Sequence, residues 1–445
     1  MYANLQTRGL YARHMFFMMD NMSHEQVPTP HSEADKREYY NFSFNSSHGS
    51  IRAYWDSCFR GINKANFVIG NQEKIDAIPD SFLSPEYKAK YIGEAKFLRA
   101  LYYFLLVTRF GDVPLITVIP EDATGFPRSP AADVYQQIFT DLQDAQLTLI
   151  SKDDQLPENQ GRATREAATA LLGKAYLYNG NKSAAITEFN KIYGAYSLEA
   201  EYYDNFTEEG EWGSESIFEV QFNDDLADGA KWNSDFTGAG PNEVTFRGQE
   251  YGFLNWFNVY PSDELLNEYE AGDSRYQDTF YSAGDTYSNG VVTPANLTVD
   301  NIPTIAAWKK YQNYYKDASE DEASGINMKV IRYADILLMM AECTYETAPG
   351  TAMGYINEVR QRPSVNLPPV AGLSGAGLFD AIVHERMVEL AGEQARFPDL
   401  VRWGLASTTL LGPNFQVGKN ELFPIPDAEI SSNENISSAD QNPGY

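Results

Sequence analysis

Two short helical runs meeting at a tight turn constrain this chain more than any other feature. Between Thr169 and Ile192, the residues Leu172, Gly173, Tyr176, Gly180, Ala185, Phe189 and Ile192 have the spacing of two antiparallel helices joined at Asn179-Gly180. Gly173 and Ala185 let the helices approach, and Tyr176 and Phe189 fill the groove between them. Thr164, just ahead, reads as an N-cap. Such a pair cannot bury its apolar faces alone, so it predicts neighbours of its own kind.

The spacings are those of a tetratricopeptide unit, and a weaker copy lies at 332–360, where RYADILLMMAEC precedes AMGYINEVRQR. Residues 85–110 place Ala95, Leu98, Tyr102, Leu105 and Leu106 on one helical face before Gly111-Asp112-Val113-Pro114 stops the run. Further helices are expected at 131–150 and 1–19. Residues 200–325 differ, being rich in Gly, Asp, Asn and aromatics, with one strand-like alternation at 217–222. The stretch after residue 19 has a similar character. The expected fold is mainly α, with tetratricopeptide-like helical pairs, a loop-rich irregular half and a few short strands. It is read as one domain over 1–445, with scaffold at 50–200 and 326–405, ligand-binding loops at 20–50 and 201–325, and a tail at 406–445.

Asp and Glu number 62 against 34 Lys and Arg, a formal charge of −28, which excludes a nucleic acid backbone as partner and favours a neutral ligand. The two cysteines, Cys58 and Cys343, write neither a thiolate zinc site nor a disulfide framework, and their pairing is left open. No run of 18 apolar residues occurs, and Met-Tyr-Ala-Asn-Leu-Gln lacks the features of a signal peptide. That start fits either a cytoplasmic protein or a chain trimmed at its beginning.

Catalytic motifs are missing. His384-Glu385-Arg386 begins like a zinc-protease signature, but Val388 stands where the second His belongs. Glu385, Arg386, Glu389 and Arg396 are expected instead to form ion pairs tying helices together. GLSGAG at 372–377 reads as a loop, and neither GxSxG nor a Walker sequence occurs. His14, His24, His31 and His48 cluster early without metal-ligand spacing. No enzyme activity, cofactor or metal is expected.

Five stretches carry a family resemblance: AYWDSCFRGINKANFVI (53–69), GEAKFLRALYYFLLVTRFGDVPL (93–115), RYADILLMMAEC with INEVRQR, HERMVELAGEQARFPDLVRWG (384–404) and the closing LFPIPDAEISSNENISSADQNPGY (422–445). In order and spacing they resemble the SusD/RagB family, surface glycan-binding lipoproteins of Bacteroidetes. The resemblance implies a helical scaffold and a loop-rich half. It further implies an outward-facing lipoprotein of the outer membrane that hands oligosaccharide to a SusC-like TonB-dependent transporter. The lipid-acceptor Cys the family carries is not in this sequence, so the anchor is expected ahead of the given start. A tetratricopeptide-type adaptor for protein is the alternative role.

Sugar rings offer a face of C–H bonds to a flat aromatic while polar groups bond the hydroxyls. Trp55 and Trp403 fall inside family motifs and are read as scaffold. Trp212, Trp232, Trp256 and Trp308 lie in the irregular region and are the candidate ligand-binding rings. Tyr39, Tyr40 and His48 join them from the early loop, with Asp35, Lys36 and Arg37 as hydroxyl partners. The favoured ligand is a neutral glucan such as laminarin.

Overall fold

The computed structural model describes residues 1–122, 124–226, 232, 234, 240–253, 255–286, 293, 297–299, 302–312, 324–410 and 414–445. Helices dominate, and the described strands pair into five two-stranded sheets. The chain divides into two compact units, each assembled from distant stretches. One comprises Met1–Leu5, Asn45–Ala195 and Gln416–Tyr445; the other comprises Gln6–Phe44 and Tyr196–Phe415.

The first unit is a stack of helices, Gly49–Gly70, Pro85–Phe110, Ala131–Thr148, Arg165–Tyr178 and Lys182–Phe189, in which consecutive members pack. Local chemistry sets their ends. Ser84 caps the Tyr87 N–H ahead of Pro85, whose fixed φ suits the first turn, and Gly111 at φ 69° stops the helix. Thr164 accepts from the Ala167 N–H at 3.2 Å, as its N-cap reading predicts. A Cβ on Gly173 would lie 2.4 Å from the Phe189 ring, so the glycine is what lets this helix pair close. Arg99 and Asp141 form a buried ion pair at 2.6 Å between adjacent helices. The C-terminal tail is bound to the stack through Phe423 N–H donating to the Arg109 carbonyl and Trp55 Nε1 donating to Glu429.

In the second unit, strand Ser216–Val220 pairs antiparallel with Met328–Arg332, which runs straight into helices Tyr333–Thr344, Pro349–Arg360 and Gly375–Glu389. A separate apolar core gathers Phe16, Phe17, Tyr251, Phe280, Trp308 and Met387. Beneath the helices lies a buried ionic hub. Glu389 accepts from Arg275, Arg332 and Arg362 at 2.9, 2.6 and 2.8 Å. Glu215 accepts from Arg332 and Arg362 at 2.7 and 2.6 Å, and Glu385 from Arg275 and Arg360 at 2.6 and 3.0 Å.

Three local expectations are corrected. The early helix begins only at His14, because the Ala12 carbonyl accepts from Phe246 N–H and Thr245 Oγ rather than from a helical neighbour. In 372–377, Gly375 already starts the Gly375–Glu389 helix. Glu385, Arg386 and Glu389 form the buried pairs expected of them, but Arg396 makes no ion pair among the described residues and its Nη1 is buried without a hydrogen-bond partner.

Candidate functional site

Strand Gln26–Pro28 pairs antiparallel with Val259–Pro261, in register Pro28↔Val259. The Thr29 N–H extends this pairing by donating to the Asn258 carbonyl at 2.9 Å. Two segments separated by more than 200 residues thus run side by side, and their loops carry the site.

Trp256 is 39 % exposed, and its ring stacks on Trp232 with centroids 5.8 Å apart and planes 22° apart. His31 Nε2–H donates to the Trp256 carbonyl at 2.8 Å, which fixes the ring nitrogen that carries the proton there. Behind Trp232, Phe246 meets the ring edge-on at 4.3 Å, and the Arg13 guanidinium lies 4.7 Å from its centroid. Arg13 is held in turn by Glu250 at 2.5 Å and Glu33 at 2.8 Å. Burial alone would lower the Arg13 pKa, but the two carboxylates outweigh it and raise it. The cation is therefore fixed beneath the ring. Lys36 bonds Glu33 at 2.9 Å and approaches Glu250 at 3.2 Å, so the supporting carboxylates are shared by two cations. The result is a stacked pair of indoles, one of them exposed to solvent, on a polar base.

The other candidates fall in different places. Trp212 is 40 % exposed in a separate turn at φ 52°, its N–H donating to Glu219. Tyr40 is half-buried and stacks on His24, with centroids 4.4 Å apart. Three expectations are overturned. Trp308 is fully buried, because its strand Ala306–Trp308 pairs with Phe280–Ser282 and points the indole into the core against Phe280. Tyr39 is buried on the inner face of helix Ala34–Tyr40, packed on Phe44. His48 is buried in the first unit, where its Nδ1 accepts from the Ile51 N–H and caps helix Gly49–Gly70. Of the suggested hydroxyl partners, Lys36 is buried against the Phe17 ring, and Arg37 donates to the Pro30 and Ser32 carbonyls. Sequence reading missed His31, Arg13 and Glu33 as supports. They reach the indoles through long-range contacts, the Gln26–Pro28 strand pairing and the Ala12–Phe246 backbone bond, which leave no periodicity to read. Among the described residues no cluster of three or more metal-ligating side chains occurs.

A family model described as the SusD family matches residues 214–445, more than half of the chain. The chain belongs to the SusD family. A second model, described as starch-binding and associating with the outer membrane, matches residues 8–177. The chain is similar to SusD-like protein P2 of Formosa agariphila, with 28 % identity over 92 % of this chain and 84 % of that one. Among solved structures, a SusD superfamily protein of Bacteroides vulgatus superposes with a TM-score of 0.84 at 25 % identity, covering 100 % of this chain and 97 % of that one. A laminarin-binding SusD-like protein superposes at 0.80 with 28 % identity and the same coverage. The fold is thus that of a SusD-like protein: mainly helical, with few short strands. The family is a carbohydrate-binding one associated with the outer membrane. Among the described residues no helix is long and apolar enough to cross a membrane.

Proposed function

We propose that this chain is a non-catalytic capture protein for oligosaccharide, binding its ligand on the Trp256–Trp232 stack. The observation that carries this reading is the exposed Trp256 indole stacked on a second indole, Trp232, which itself packs on Phe246 and the ion-paired Arg13. A braced ring loses little freedom on binding, and its open face matches the C–H surface of a sugar. Glu33, half exposed beside the stack, is a hydroxyl acceptor at its edge. Trp212 is a second, separate contact for a longer chain. The net charge of −28 favours a neutral ligand, and the 28 % identical laminarin-binding relative supports a β-glucan of that kind.

In the cell the protein is anchored by lipid on the outer membrane and passes its ligand to a SusC-like TonB-dependent transporter. Two experiments test these roles. Calorimetric titration with laminarin, starch and hemicellulose oligosaccharides should show binding to a neutral glucan without any product on long incubation. Silence across the panel, or hydrolysis of a bound member, would contradict the reading. Affinity capture from envelopes should recover the transporter.

A further inference from the structure

Below helix Ala34–Tyr40 lies a second cleft of about 690 Å³, in the size range of small-ligand sites. Besides the carboxylates of Glu264 and Glu268, three kinds of group line it. One wall is the stacked pair of His24 and Tyr40, both half-buried, with His24 Nε2–H fixed on the Tyr40 carbonyl at 3.1 Å. Thr408, Thr409 and Asn414 contribute hydroxyls and an amide. The third is Arg396, whose Nη1 is buried without a hydrogen-bond partner.

Arg275, Arg332, Arg360, Arg362 and Arg386 hold carboxylates, whereas Arg396 makes no ion pair among the described residues. Glu264 and Glu268 line the cleft and Glu25 lies close to Arg396, yet none of the three forms an ion pair with it among the described residues. Glu268 is taken by His384 Nδ1 at 2.7 Å. Glu25 lies within the field of Arg396 yet makes no ion pair with it, and burial pushes its carboxyl up to about 8. Leaving a buried donor unmade costs about 1–3 kcal/mol, more for a charged group. A ligand that supplies the acceptor removes that cost.

We propose that this cleft is a second saccharide site, selective for a sugar unit bearing a carboxylate, with Arg396 as the carboxylate contact. The sugar ring lies on the His24–Tyr40 face, and its hydroxyls reach Thr408, Asn414 and the exposed Glu264 at the mouth. A guanidinium binds a carboxylate through two parallel N–H donors, so the acid group also sets the orientation.

The test is titration of the full chain with digalacturonate and diglucuronate against the uncharged digalactose and diglucose. Wild-type protein should bind a uronate at least 10-fold more tightly than its neutral counterpart, and Arg396→Gln should remove that preference. Should Arg396→Gln fail to fold, Thr408→Tyr, made at an exposed position, blocks the cleft and should lower uronate affinity at least 10-fold. Trp256→Ala should leave uronate binding unchanged, which separates this site from the indole platform. Equal affinity for charged and neutral sugars, no uronate binding, or uronate binding lost with Trp256→Ala and kept in Thr408→Tyr would each overturn the proposal.

Discussion

The ionic hub and the indole platform belong to one compact unit and solve opposite problems. In the hub, Glu215, Glu385 and Glu389 are fully buried, and every one of them accepts from at least two guanidiniums. Charge there is cancelled internally, and nothing is left to offer a ligand. On the platform, carboxylate and cation are also paired, but the pairing underlies Trp232, on which the exposed Trp256 stacks. The difference is that buried polarity in this fold either closes on itself or supports an exposed surface.

The contrast can be broken most forcefully at the hub. Glu389→Ala leaves three buried guanidiniums short of a partner and should cost about 3–5 kcal/mol, read as a lowered midpoint in denaturant unfolding. Acid should act at the same place. Arg362 and Arg332 overcome burial to hold the Glu215 and Glu389 carboxyls below their ordinary range. Their stabilisation is therefore present above the unfolded pKa of about 4.3, and is lost as pH falls through the depressed folded values. Stability that stayed level from pH 5 down to pH 2 would sink the hub's role.

A comparable loss is expected from Trp308→Ala, about 3–5 kcal/mol for an emptied core position, with glycan affinity of the folded protein unchanged. A selective loss of affinity would return Trp308 to the binding surface. Its case shows what the sequence conveys and what it hides. Helix Pro85–Phe110, the capped start at Thr164 and the Gly173–Phe189 contact were legible because each follows from local spacing. Trp308 and Trp256 look alike in sequence, since both sit in aromatic, irregular stretches. What separates them is a strand partner, Phe280 for one and a chain turn for the other, and strands of three residues do not announce their partners. His48 was misread for a related reason, because a ring that caps a helix and a ring that meets a ligand share the same loop chemistry.

A smaller effect is expected at Glu25. Its carboxyl, raised by burial and by neighbouring Asp20 to about 8, favours the folded state below the unfolded pKa and loses that contribution as pH rises towards 8. Glu25→Gln should therefore flatten the stability profile between about pH 5 and 8, by an amount on the order of a few kcal/mol at the alkaline end. An unchanged slope in thermal unfolding across that range would place the proton elsewhere.

The platform itself is tested most directly by calorimetry on Trp256→Ala with a laminarin oligosaccharide, alongside its unfolding midpoint. The account predicts a loss of affinity of about 30-fold or more, the size of a truncated aromatic anchor, with stability changed by less than about 1 kcal/mol because the ring is exposed. Wild-type affinity in a variant that folds normally would show that the stacked indoles are not where the sugar sits.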